Sequence, residues 1–167
     1  VLFRSNTGIK IVSTGTVSFT GSKIGTASNT LRDFEVTTDD AFTLSIPVRT
    51  TGAVTIQSKD LSTLTSTIET TTGDVTLGAT SPYIGTFNLS GDITTTVGGS
   101  VIINTAVDLT DDIAIITDGS STDGNITFVD TVSGSYLLTL TAGNGALEFD
   151  STVNVASIDA LLTTGTT

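Results

Sequence analysis

The sequence contains no cysteine, histidine, methionine or tryptophan among its 167 residues. Without cysteine, the chain has no disulfide, no thiolate metal site and no thiol nucleophile. Without histidine, it lacks the usual general base at neutral pH, and a Ser-His-Asp triad is excluded. The absence of methionine and cysteine also removes the side chains that oxidise most readily, which favours an extracellular or cell-surface location.

Basic residues and long apolar runs are also scarce. All six basic residues precede position 60, where four acids accompany them, and thirteen acids and no base follow from Asp60 onward. Clustered cations for nucleic acid are missing, so no nucleic-acid partner is expected. No run of about 18 apolar residues is present, so we expect no membrane span in this segment. The acids can solvate the surface, bind divalent cations, or attract the basic beginning of another copy.

Threonine and glycine dominate what the chain does contain. There are 37 threonines and 17 glycines but only two prolines. Threonine is β-branched, which disfavours helices and suits a pleated surface, and the glycines mostly fall between short apolar alternations. The composition therefore predicts an all-β fold.

A glycine-led phrase recurs along the chain: glycine, one variable residue, then an apolar–any–apolar triplet. It begins at Gly15, Gly52, Gly73, Gly99, Gly124 and Gly145, and the last five glycines are 21, 26, 25 and 21 residues apart. A second apolar phrase follows in each unit, so each unit carries two or three short strands. Repeats at this spacing predict a β-solenoid, a parallel right-handed β-helix with coils of about 20–26 residues.

An antiparallel β-sandwich, immunoglobulin-like or jelly-roll, with one or two small domains, is the alternative architecture. The repeat favours the solenoid, because a sandwich gives no reason for the same strand to return at this interval. The interval from Gly15 to Gly52 is longer, at 37 residues. We therefore expect one repeat array over residues 1–167 with a possible sub-boundary near residues 39–52.

The C-terminal part resembles a known class of proteins. Asp123-Gly124-Asn125-Ile126-Thr127-Phe128, the run from Thr131 to Gly143, and Gly145-Ala146-Leu147-Glu148-Phe149 are similar to the repeats of large bacterial exported adhesins. These are the filamentous-haemagglutinin-like and autotransporter-like proteins. The resemblance implies a β-helix in a secreted or cell-surface rod that attaches to host tissue, to other cells or to its own copies, without catalysis.

Carboxylates are the only plentiful candidates for site chemistry. Calcium takes six to eight oxygen ligands, and the spacing here matches neither an EF-hand nor a calcium-binding β-roll. A solvated turn is the simpler interpretation, and calcium is the one cofactor the sequence suggests. The candidate ligands are Asp108, Asp111, Asp112, Asp118, Asp123 and Asn125.

Three functions remain open at this stage. The first is a non-catalytic structural or adhesive repeat segment that mediates attachment or fibre formation. The second is a self-assembling extracellular filament or sheath subunit, held by strand donation or end-to-end stacking. The third is a polysaccharide-binding β-helix. Enzymatic activity is not expected, because paired carboxylates in a cleft normally have aromatic platforms beside the sugar, and aromatic residues make up only 5% of the chain.

Overall fold

The computed structural model describes residues 8–26, 30–79, 81, 83–119 and 122–162. Within these ranges the chain forms twenty β-strands and no helix. The strands are β1 (Ile9–Ser13), β2 (Val17–Phe19), β3 (Phe34–Thr38), β4 (Phe42–Leu44), β5 (Val48–Thr50), β6 (Val54–Ser58), β7 (Ser62–Leu64), β8 (Ile68–Thr70), β9 (Val75–Leu77), β10 (Phe87–Leu89), β11 (Ile93–Thr95), β12 (Val101–Ile103), β13 (Val107–Leu109), β14 (Ile113–Ile116), β15 (Ile126–Phe128), β16 (Val132–Gly134), β17 (Leu137–Gly143), β18 (Leu147–Phe149), β19 (Val153–Asn154) and β20 (Ser157–Leu162).

The strands form three sheets, which we call faces A, B and C. Face A contains β1, β3, β6, β9, β12, β15 and β18; face B contains β2, β4, β7, β10, β13, β16 and β19; face C contains β5, β8, β11, β14, β17 and β20. Every strand pair in the described ranges is parallel. The predicted β-solenoid is confirmed, with about seven coils of about 22 residues, and the antiparallel sandwich is wrong.

The glycine-led phrases stack in register on face A. Val54 pairs with Val75, Val75 with Val101, Val101 with Ile126, and Ile126 with Leu147. The stacking expected of repeated units is confirmed for these five phrases. The phrase at Gly15 lies on another face, because the strand that follows it, β2, pairs with β4 on face B.

Changes in coil length occur at the corners and leave the faces intact. The segment between β9 and β10 spans residues 78–86, whereas only residues 59–61 separate β6 from β7. Another long corner joins β14 to β15. Connections outside the sheets lengthen without disturbing strand pairing, which explains why the repeat interval varies. β3, which precedes residues 39–52, pairs with β6, which follows them, and β5, which lies within them, pairs with β8.

The core lies between the three faces and is filled by alternate residues of each strand. Most three-residue strands bury their first and third side chains and leave the second half-exposed. Because strand side chains alternate between the two sides of a sheet, the period-two pattern of the sequence selects what enters the core. Phe34, Phe42, Phe87 and Phe128 are its largest fully buried side chains.

Buried threonines close the corner where face C leads into the next coil on face A. Thr70 Oγ1 donates to the carbonyl oxygen of Gly73 at 2.6 Å, and Thr95 Oγ1 donates to that of Gly99 at 2.5 Å. Thr50 and Thr117 donate the same kind of hydrogen bond, to the carbonyl oxygens of Gly52 and Gly124 respectively. Each hydroxyl gives a carbonyl group at the turn a hydrogen-bond partner inside the protein.

The glycines at this corner also lie directly against one another. A Cβ atom on Gly124 would be 1.9 Å from the carbonyl oxygen of Gly99, and one on Gly99 would be 2.4 Å from that of Gly73. No other residue fits without moving the backbone. This close approach explains why glycine returns once per coil.

Candidate functional surfaces

The outward side chains of the three faces differ in charge. On face A, Lys10 Nζ lies 2.6 Å from Glu35 Oε1, and on face C Arg49 pairs with Glu69. Both ion pairs join aligned residues of neighbouring strands. The outward positions of face B carry a single charged residue, Asp108. Face B is therefore nearly neutral in a chain with a net charge of −11.

Face B presents two outward columns of small side chains, polar except for Ala156, which we call the hydroxyl grid. The two columns flank the inward residue at the end of each strand, so they share one side of the sheet. In coil order the grid consists of Ser18 and Thr20, Thr43 and Ser45, Thr63 and Thr65, Asn88 and Ser90, Asp108 and Thr110, Ser133 and Ser135, and Asn154 and Ala156.

Sequence reasoning missed the hydroxyl grid as a unit. Its signal is a polar–apolar–polar triplet such as Thr43-Leu44-Ser45 or Thr63-Leu64-Thr65, which returns once per coil. Similar triplets also occur on the other faces, as in Thr55-Ile56-Gln57. Only the strand pairing shows which triplets belong to the same surface.

Acidic and amide side chains bind the backbone of the following coil. Asp74 Oδ1 accepts a hydrogen bond from the Ser100 N–H at 2.7 Å, and Asn125 Oδ1 accepts one from the Ala146 N–H at 2.8 Å. On face C, Asp92 and Asp112 accept from the N–H groups of Ala114 and Leu137. These bonds extend the hydrogen-bonding between coils beyond the strand ends.

The six proposed calcium ligands lie at three places in the solenoid. Asp108 is on face B, where its Oδ1 accepts from Ser133 Oγ at 3.2 Å, and Asp111 and Asp112 occupy the turn between β13 and β14. The remaining three lie between β14 and the start of β15: Asp118, Asp123 and Asn125. Among the described residues, no group of three or more His, Cys, Asp or Glu side chains is placed to hold a metal ion.

Asp123 is the most strongly bound carboxylate of this set. The backbone N–H groups of Asn144 and Gly119 donate to it at 2.7 and 2.9 Å. These two bonds, that of Asn144 first, hold the pKa of Asp123 below its ordinary value of 3.8. The charged form of Asp123 therefore fixes the loop between β14 and β15 to the next coil.

The last described coil leaves core-type side chains accessible to solvent. Every residue of β20 is exposed, and Ile158 and Leu162 retain 44% and 47% of their surface. Ile158 is aligned with the buried Leu138 of the coil below. Leu147 and Phe149 of the same coil are only partly buried. Among the described residues no further strand pairs with β18, β19 or β20, so this end combines apolar side chains with a strand edge open to pairing.

A cavity of about 230 Å³ lies at the C-terminal end of face B. It is lined by Gly134, Ser135, Asn154, Val155 and Ala156. Gly134 is aligned with the buried Leu109 and adds no side chain to the core there. With one amide and one hydroxyl side chain in its lining, the cavity offers few polar groups to orient a ligand.

Comparison with known proteins identifies no relative of the chain. No protein-family model matches the chain, and no curated protein and no solved structure matches it. In the part of the chain that the structure describes, no helix is long and apolar enough to cross a membrane.

Proposed function

We propose that this chain is a non-catalytic structural and adhesive repeat segment of a secreted or cell-surface bacterial protein. The observation that supports this proposal is that many polar side chains form hydrogen bonds with the backbone. Threonines at the corners and acids at the strand ends bind backbone groups of their own or the neighbouring coil. These hydrogen bonds hold the corners and join neighbouring coils, which suits a stiff spacer.

The dimensions of the solenoid suit the same role. Coils stack about 4.8 Å apart, so seven of them extend about 30 Å along the axis. Each coil contacts mainly its neighbours, and length grows by adding coils without changing the core. A repeat segment of this kind supplies reach and lateral surface for attachment to cells.

An adherence assay tests the proposal. Fluorescent beads coated with the purified chain should bind to epithelial or bacterial cells more than beads coated with a Gly124→Val variant, whose side chain would overlap the backbone of Gly99 in the neighbouring coil. Equal binding of both beads, with circular dichroism confirming that only the parent chain is folded, would contradict an adhesive role.

Self-assembly by end-to-end stacking is the second candidate function, favoured by the exposed apolar side chains of the last described coil. Its occupant would be a second copy, whose less acidic beginning complements an end rich in carboxylates. Residues 1–59 carry six bases and four acids, and residues 60–167 carry thirteen acids and no base. Opposite charges at the two ends favour head-to-tail order.

Sedimentation velocity at increasing protein concentration tests the stacking. The parent chain should form larger species that salt weakens, and an Ile158→Lys/Leu162→Lys variant should remain monomeric. Leu161→Lys is the matched control, because Leu161 is 54% exposed and aligned with the outward Thr141. A parent chain that stays monomeric at every concentration would exclude this candidate.

A further inference from the structure

The first and last described coils both leave part of the core uncovered. Among the described residues, the apolar side chains that pack on the core but stay partly exposed lie in these two coils: Ile11, Val17 and Phe19 in the first, and Leu147, Phe149, Val153 and Val155 in the last. The outermost strands of faces A and B are β1 and β2 at one end and β18 and β19 at the other. Each end therefore offers apolar surface together with strand edges that can pair.

The two ends match along faces A and B. The column of aligned inward residues on face A starts at Ile9 and ends at Leu147. The corresponding column on face B starts at Val17 and ends at Val153. Because these strands are parallel and aligned, the first coil of a second copy fits on the last coil as each coil fits on the one before it. Ile9 of that copy would contact Leu147, and its Val17 would contact Val153.

The charges of the two ends are opposite. Residues 8–26 contain two lysines and no acid, and residues 145–162 contain three acids and no base. Lys10 and Glu148 are the outward residues at the two ends of one column on face A. Lys10 Nζ lies 2.6 Å from Oε1 of Glu35, its neighbour in this column. Since an ammonium group has three N–H donors, Lys10 of a second copy can bind Glu148 and keep its own Glu35.

We propose that the chain associates head to tail with a second copy, with β18 paired to β1 of that copy, β19 paired to its β2, and Glu148 bound to its Lys10. This inference rests on the self-assembly candidate above and defines its strand register. Joining two last coils to each other would instead bring six carboxylates together, which like-charge repulsion disfavours. On face C the first coil contributes only the isolated bridges of Ile24 and Leu31 among the described residues, so faces A and B define the register.

Charge reversal tests the ion pair by sedimentation velocity. Lys10→Glu and Glu148→Lys should each weaken association by about tenfold or more, because like charges then face each other at the junction. An equimolar mixture of the two variants should associate as the parent does, since each junction then joins one lysine to one glutamate. Asp111→Lys is the matched control, because it makes the same change in charge as Glu148→Lys between β13 and β14, and it should associate normally.

Disulfide trapping tests the register, because the chain contains no cysteine of its own. Ser18 and Asn154 begin and end an outward column of face B. At the junction their Cα atoms should be about 4.8 Å apart, which a disulfide can span. Ser18→Cys mixed with Asn154→Cys should give a linked dimer under mild oxidation. Thr20→Cys mixed with Asn154→Cys is two residues out of register and should not.

The outcomes separate this proposal from self-assembly itself. A parent chain that stays monomeric at every concentration would overturn both. A parent chain that associates in spite of either charge reversal, equal trapping at Ser18 and Thr20, or linked dimers of Asn154→Cys alone would overturn the head-to-tail register and leave self-assembly standing. Circular dichroism checks that each variant is folded, and if Lys10→Glu is not, the disulfide pairs decide the register.

Discussion

Glycine and threonine have complementary roles at the corner between faces C and A. Glycine lets two backbones approach to a distance that a Cβ atom would prevent, and threonine supplies a hydroxyl to the carbonyl group left at the turn. The first role depends on the absence of Cβ in glycine, and the second depends on the Oγ1 atom of threonine. Substitutions that change only these atoms therefore test the coil geometry directly.

Gly124→Ala should lower the free energy of unfolding by about 3 kcal/mol, because the new methyl group would overlap the carbonyl oxygen of Gly99. Urea denaturation followed by circular dichroism measures the change. Gly15→Ala is the matched control, since a Cβ atom at Gly15 meets nothing within 4 Å. Equal stability of the two variants would show that the glycine column is not closely packed.

Thr95→Val keeps the volume of the buried side chain and removes its hydroxyl. The carbonyl oxygen of Gly99 then loses its partner, which should cost about 1–3 kcal/mol of unfolding free energy. The neighbouring Thr94 is outward and half-exposed, so Thr94→Val should change stability by less than about 0.5 kcal/mol. Thermal melts of both proteins provide the comparison, and an unaffected Thr95→Val variant would contradict this role for the hydroxyl.

At the scale of elements, most strands have the same length, whereas the corners between them differ in length. The loop between β14 and β15 is one of the long corners, and Asp123 fixes it to Gly119 and to Asn144 of the next coil. The neighbouring Asp118 also lies close to Gly143, where both carboxylates would contact an added Cβ atom. The stability of this corner should therefore depend on whether Asp123 is ionised.

Asp123→Asn should lower the melting temperature at neutral pH, and the difference should shrink in acid. Because the folded-state pKa lies below 3.8, the stabilisation by Asp123 is fully present above that pH and is lost as pH falls through the folded-state value. Melting curves from pH 7 to pH 2 measure this. Asp159→Asn serves as the control for loss of one charge, and a pH-independent gap would contradict the assignment.

At the scale of the whole molecule, the acids are spread over the solenoid rather than gathered. In the sequence, the six candidate calcium ligands lie within eighteen positions, 108–125. In the folded chain, they lie on face B and at two different corners. Four of the six side chains already accept a hydrogen bond from a backbone N–H group: Asp111, Asp112, Asp123 and Asn125. The six candidates therefore lie at three places, and Asp118 and Asp123 are close together at one of them.

Removal of divalent cations should leave the melting temperature unchanged. A tightly bound ion stabilises only the folded state, so chelation would lower the melting temperature if these residues formed a calcium site. Differential scanning calorimetry with EDTA, and again with excess calcium, measures the effect. A drop with EDTA that calcium reverses, and that Asp111→Asn/Asp112→Asn abolishes, would establish the site that the sequence suggested.

The sequence by itself determined the class of fold and the stacking of the five later glycine phrases. Both follow from local rules: β-branched residues favour strands, alternation selects the core, and a Cβ-free position must return wherever backbones touch. The phrase at Gly15 obeyed the same local rules but lay on another face, because a short strand looks the same on each of the three sheets.

Only the tertiary structure decided which strands share a face, and therefore which outward side chains form a surface. The hydroxyl grid joins residues about 22 positions apart, and its low charge is visible only when faces A, B and C are separated. Pairing of strands across coils, rather than neighbourhood along the chain, determines the surface that a partner meets.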